Sequence, residues 1–130
     1  MYRATTHAIQ VDVEPAYLAD RSDPVHDRYF WAYTITIENR SQRTVQLVAR
    51  HWRITDGQGR LEEVRGAGVV GEQPILKPGE KFRYTSGCPL TTPTGFMSGA
   101  YQMSDENGEA FEIDIPTFSL DSPQGRRVLN

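Results

Sequence analysis

The stretch RHWRITDGQGRLEEVRGAGVVGEQPILKPGEKFRY, residues 50–84, decides how the rest of the chain folds. Trp52 and Ile54 alternate with Arg53 and Thr55, the period of a half-buried strand, and Asp56, Gly57, Gln58 and Gly59 follow as a turn. Leu61 and Val64 bring the chain back, so residues 50–64 read as a hairpin. Gly66-Ala67-Gly68-Val69-Val70-Gly71 is then a glycine-rich loop and Leu76-x-Pro78-Gly79-Glu80 a corner. Phe82 and Tyr84 alternate with polar neighbours where another strand begins.

The same two-residue period recurs on both sides of this block. Ile9, Val11 and Val13 place a first strand over residues 5–14, with His7 at the same parity. Residues 15–27 read as an irregular connection pinned by Tyr17 and Leu18. Residues 28–39, RYFWAYTITIEN, put Tyr29, Trp31, Tyr33, Ile35 and Ile37 on one face, while Phe30 and Ala32 require the other face to be covered as well. Residues 44–56 change parity, from Val45 and Leu47 to Trp52 and Ile54, which predicts a β-bulge near residues 49–51. Met97, Gly99, Tyr101 and Met103 alternate in the next strand, Asn107-Gly108 closes a hairpin, and Phe111, Ile113 and Ile115 form the last strand up to Pro116.

No apolar stripe at helical spacing occurs between these strands. Seven to eight short strands joined by turns predict an all-β chain, an antiparallel β-sandwich of the immunoglobulin or fibronectin type III kind, with a small closed barrel as the competing solution. The expected core comprises Ile9, Val11, Val13, Trp31, Tyr33, Ile35, Ile37, Trp52, Ile54, Phe82, Tyr84, Tyr101, Phe111 and Ile113. The whole of residues 1–130 is read as one domain, with its core over about residues 5–118 and residues 119–130 as a loosely held tail.

The 130 residues suffice for one core without staples, and 38% hydrophobic with 24% charged residues is ordinary for a globular protein. A formal net charge of −3 gives no electrostatic footprint for nucleic acid or an anionic membrane, so neither is expected as a direct partner. Cys88 is the only cysteine, which removes intramolecular disulfides, favours the fibronectin-like variant and suggests a reducing compartment. With no apolar leader in MYRATTHAIQVDV and no run of transmembrane length, a cytoplasmic location is expected.

The segments AYTITIEN, RHWRITDGQGRLEEVRGAGVVGEQPILKPGEKFRYTSG and GAYQM, in this order, resemble the bacterial ApaG family over about residues 9–120. The resemblance implies a fibronectin type III-like sandwich, a genetic association with cobalt and magnesium resistance or efflux, and no established activity. It also implies kinship with domains of an F-box protein and of a DNA polymerase delta interacting protein, where an adaptor role is the usual proposal. The family defines no catalytic residues, and its recurrent hexapeptide falls on Gly66, Gly68 and Gly71.

GAGVVG matches the G-x-G-x-x-G pattern of dinucleotide-binding turns, but Pro74 and Pro78 stand where the required helix would run. A looser reading makes the loop's amides an anion nest beside Arg65, Arg50 and His51. His7, His26 and His51 show no metal-ligand spacing, so no metal and no cofactor is expected. Nothing adjacent lowers the Cys88 thiol pKa or completes a triad with His51, so no catalytic residues are assigned. Phe30, Val69 and Val70 are the apolar groups that one buried face explains least, and they are expected on a partner surface. The expected function is a non-enzymatic binding or adaptor domain that docks another protein through Arg50, His51, Arg65, Gly66, Gly68, Val69, Val70 and Gly71. Nucleotide or polyphosphate binding at the same loop, an unrecognised enzyme, and a homodimer stay open beside it.

Overall fold

Alternating side chains commit most of the chain to strands, and the computed structural model, which describes residues 1–123, contains nine of them among those residues. They are β1 (Tyr2–Thr6), β2 (Ile9–Tyr17), β3 (Tyr29–Asn39), β4 (Val45–Asp56), β5 (Leu61–Ala67), β6 (Ile75–Leu76), β7 (Lys81–Leu90), β8 (Thr94–Asp105) and β9 (Ala110–Asp121). One antiparallel sheet has the order β1-β2-β3-β7, and the other the order β5-β4-β8-β9 with the two residues of β6 added to β4. Their inner faces close on each other as a β-sandwich. Ile35 is flanked by Val13 and Tyr84 from the first sheet, and it shares the core with Trp52, Tyr101, Ile113 and Phe118 from the second. No helix among the described residues is long and apolar enough to cross a membrane.

Every odd residue of β3 is buried, as its pattern predicts, and most of the expected core is buried with it. Ile54, Phe82 and Phe111 differ in being only partly covered, because each lies where the sandwich ends or opens. The parity change in β4 is a real bulge, although it falls between Leu47 and Ala49 rather than at residues 49–51. Phe30 is half-buried, with its ring over Gly87 of the neighbouring strand.

Three boundaries differ from the sequence reading. The single strand expected over residues 5–14 is two strands, folded back at His7 and Ala8, which both take left-handed backbone (φ 51 and 61) without glycine. Pro15, Ala16 and Tyr17 extend β2, leaving a shorter connection with 3-10 turns at Ala19–Arg21 and Pro24–His26; Tyr17 does pack edge-on against Trp31. The last strand does not stop at Pro116. A bulge between Ile115 and Phe118 accommodates the proline, and β9 continues to Asp121. Leu120 and Ser122 are therefore buried, against the expected loose tail, and residues 124–130 lie outside the described residues.

The two long sides of the sandwich differ. On one, β1 meets β9: the hydroxyls of Tyr2 and Ser119 bond at 2.8 Å, and the Asp114 amide donates to Thr6 Oγ1 at 3.1 Å. On the other, the edge strands β5 and β7 leave a cleft.

Candidate functional site

The pleat of the β4–β5 hairpin distributes the candidate residues. Trp52 is buried and pairs with Val64, so residues of the same parity, Arg50 opposite Gly66 and Ile54 opposite Glu62, face inward. His51 opposite Arg65 and Arg53 opposite Glu63 face outward. His51 Nε2 lies 2.9 Å from Glu63 Oε1, and Arg65 Nη2 lies 3.9 Å from the same oxygen. The expected grouping of Arg50 with His51 and Arg65 around one anion is thereby corrected: neighbours in a strand point to opposite faces of the sheet.

Arg50 fastens the glycine-rich loop from inside. Its Nη1 donates to the carbonyls of Ala67 at 3.0 Å and Gly68 at 2.9 Å. The guanidinium lies flat on Gly66, where a Cβ would stand 2.9 Å from both terminal nitrogens. The loop itself is a miniature hairpin grafted onto the β4 bulge. Gly68 N and Gln73 Nε2 both donate to the Val48 carbonyl at 2.8 Å, and Val69 and Glu72 exchange backbone bonds of 2.8 and 2.9 Å. Gly68 is required there, since its φ is +62 and a Cβ would run into the Glu72 carbonyl. With the Gly68 and Val69 amides engaged inside the fold, they do not converge as the expected nest.

The turn of this miniature hairpin is Val70-Gly71, left-handed at both residues (φ 44 and 79), as a two-residue hairpin turn of type I′ requires. Val69 points down into the core and is 1% exposed, which corrects its expected place on an exposed partner surface; Val70 is 55% exposed. The reason is position: Val69 is still paired with Glu72 as a strand residue and faces the core, whereas Val70 belongs to the turn itself.

Beneath Val70 the two sheets part to form a cleft of about 430 Å³, with Trp52, Val64 and Met97 among its apolar walls and Arg50, Tyr84 and Ser86 among its polar ones. A second hollow of about 520 Å³ shares Ile54, Glu62 and Pro89 with it and carries Arg21, Arg28 and Arg60 at its rim. The hydroxyls of Tyr84 and Tyr101 are bonded to each other in the interior. Burial raises both phenol pKa values and also that of Tyr33, with Arg50 pulling the other way as a minor influence, so all three stay protonated at neutral pH. Burial likewise pushes the Cys88 thiol up to about 11, helped by the Glu62 carboxylate, and His51 on the outer face is not its partner. Among the described residues, no three His, Cys, Asp or Glu side chains come together closely enough to hold a metal ion.

The sequence reading placed Tyr33, Tyr84 and Tyr101 in or near the core without giving their hydroxyls a role. The available signal was chemical: several tyrosines on inward parities bring polar ends that need partners.

Geometry thus defines a class: an antiparallel β-sandwich sealed along one side and open along the other, with a glycine-turned hairpin over the opening. The chain belongs to the ApaG domain family, whose model matches residues 19–105. It is 65% identical over all 130 residues to Protein ApaG of Methylocella silvestris and 62% identical to that of Rhodopseudomonas palustris, each comparison covering 100% of both chains. Among solved structures, the putative ApaA protein from Bordetella pertussis superposes with a TM-score of 0.88 at 49% identity, over 92% of this chain and 98% of that one.

Proposed function

We propose that this chain is a non-enzymatic binding domain of the cytoplasm that docks another protein along the β5 margin of its five-stranded sheet. The observation that carries this reading is the placement of exposed apolar side chains. Leu61 (58% exposed) on β5, Val70 on the hairpin turn and Ile75 (61%) on β6 follow one another along that margin. Phe96 (44%) joins Leu61 through Thr55, which pairs with both residues. Large apolar groups spaced along an unpaired strand edge favour association with another chain over an extended contact. An influence on cobalt or magnesium tolerance then runs through the partner.

The test is the double variant Leu61→Asp with Phe96→Asp, checked for native circular dichroism, against wild type in affinity capture from a native host and in light scattering. Loss of a partner that wild type retains supports the reading, and concentration-dependent dimers abolished by the same change would make the partner a second copy. Unchanged recovery with an unchanged mass overturns it.

A further inference from the structure

The cleft under Val70 contains two features that the docking surface does not use and a third, at Val70, that it shares. The first is the held guanidinium. Arg50 commits Nη1 to two loop carbonyls and rests on a glycine, while Nε and Nη2 have no hydrogen-bond partner among the described residues. A side chain fixed on one edge and open on the other is preorganised for a carboxylate, because the fork geometry is set before a ligand arrives.

The second is a leftover proton. Tyr84 and Tyr101 carry one hydroxyl hydrogen each, and their mutual bond uses one of the two. Both rings are buried, Tyr84 is the one that lines the cleft, and neither hydroxyl has another acceptor among the described residues. A buried donor without an acceptor is costly, and an oxygen in the cleft would satisfy it.

The third is strain at the mouth. Valine is a poor residue for left-handed backbone, yet Val70 takes φ 44 in a turn that Asn-Gly would fill without strain. Its side chain lines the cleft, and strained residues persist where a binding site uses them. The charge balance also sets a limit. Glu62 lies on the same lining as Arg50, but their inward positions on β4 and β5 are four residues apart, about 13 Å along the strands, and Glu62 sits at the solvent-exposed end. One cation and one exposed carboxylate suit a singly charged head and not a polyphosphate.

We propose that this cleft binds a small organic acid, with its carboxylate on Arg50 and the Tyr84 hydroxyl and its apolar body against Trp52, Val64 and Met97. The volume of about 430 Å³ lies within the range of small-molecule sites, roughly 300–1,000 Å³. The site shares Val70 with the protein-docking margin, but Leu61 and Phe96, which test that margin, lie outside the cleft lining, so either can fail without the other.

The experiment titrates the full-length chain with 3-phenylpropionate and, separately, with its uncharged counterpart 3-phenylpropan-1-ol, following backbone amide shifts by NMR. The acid is expected to move the amides of Gly66, Val70 and Ser86 and to bind about tenfold or more tighter than the alcohol, the difference a charge-assisted bond makes. Tyr84→Phe, which keeps the ring and removes only the hydroxyl, is expected to weaken the acid about tenfold and the alcohol, whose oxygen is an uncharged acceptor, by less. Arg50→Lys is expected to retain part of the preference for the acid and Arg50→Met to abolish it. Because Arg50 also fastens the loop, Tyr84→Phe keeps the test decisive if Arg50→Met fails to fold. The proposal is overturned by no shift at about 10 mM acid, by shifts away from the cleft, by equal binding of acid and alcohol, or by an unaffected Tyr84→Phe.

Discussion

Single residues in this sandwich act through carbonyls and carboxylates as well as through apolar surface. Asn39 is fully buried, and its side-chain amide donates to the Arg43 and Leu76 carbonyls at 2.7 and 2.9 Å, tying the end of β3 to β6. Asp105 does the same for the β8–β9 hairpin. Its carboxylate accepts from the Glu109 amide at 3.0 Å, the Asn107 amide at 2.9 Å and the Arg43 guanidinium at 2.8 Å, and these outweigh burial, so its pKa is lowered. A carboxyl whose folded pKa is depressed stabilises the fold above its unfolded value, ordinarily about 3.9, and that contribution fades as pH falls through the lower folded value. Asp105→Asn should therefore be less stable than wild type at pH 7, with the difference closing as the pH is taken below the ordinary carboxylate range. Urea melts of both proteins across pH 2–7 measure it, and a difference independent of pH would assign the effect to hairpin geometry.

At the scale of elements, what the sequence revealed depended on which signal each element used. Alternation exposed β3 and β7 almost to the residue, and the change from Leu47 to Trp52 parity revealed a bulge that side-chain chemistry alone could not. The β1–β2 turn stayed hidden because His7 and Ala8 carry no turn signature, and β9 was cut short because a proline ordinarily ends a strand unless a bulge receives it. The site was less legible than the fold. Arg50 and His51 are adjacent in sequence, which suggests one site, whereas the pleat sends them to opposite faces. The glycines around Val69 suggested exposure, whereas the reciprocal bonds to Glu72 and the turn beyond them press that valine into the core. The turn also yields a prediction. If Val70 is kept at a strained position for what it lines, then Val70→Asn should raise stability by about 0.5–2 kcal/mol, since asparagine accepts left-handed backbone readily. Denaturant unfolding tests this, and a destabilised variant would mean that the exposed valine side chain contributes more packing than its turn geometry loses.

For the whole molecule, stability rests on one core shared by two sheets and joined by few local contacts. Ile35 stands at its centre, 0% exposed, and Ile35→Ala is expected to cost about 2–5 kcal/mol in equilibrium unfolding, whereas a loss under about 1 kcal/mol would contradict the packing. The sealed side has a consequence for how the molecule comes into being. Its seam joins the first strand of the chain to the last, through Tyr2 with Ser119 and Thr6 with Asp114. During synthesis β1, β2 and β3 are made long before β9, the final strand, among the described residues, of the sheet that covers them. A nascent chain on the ribosome therefore carries bare inner faces until β9 has been made, an interval in which exposed apolar surface and unpaired strand edges favour aggregation.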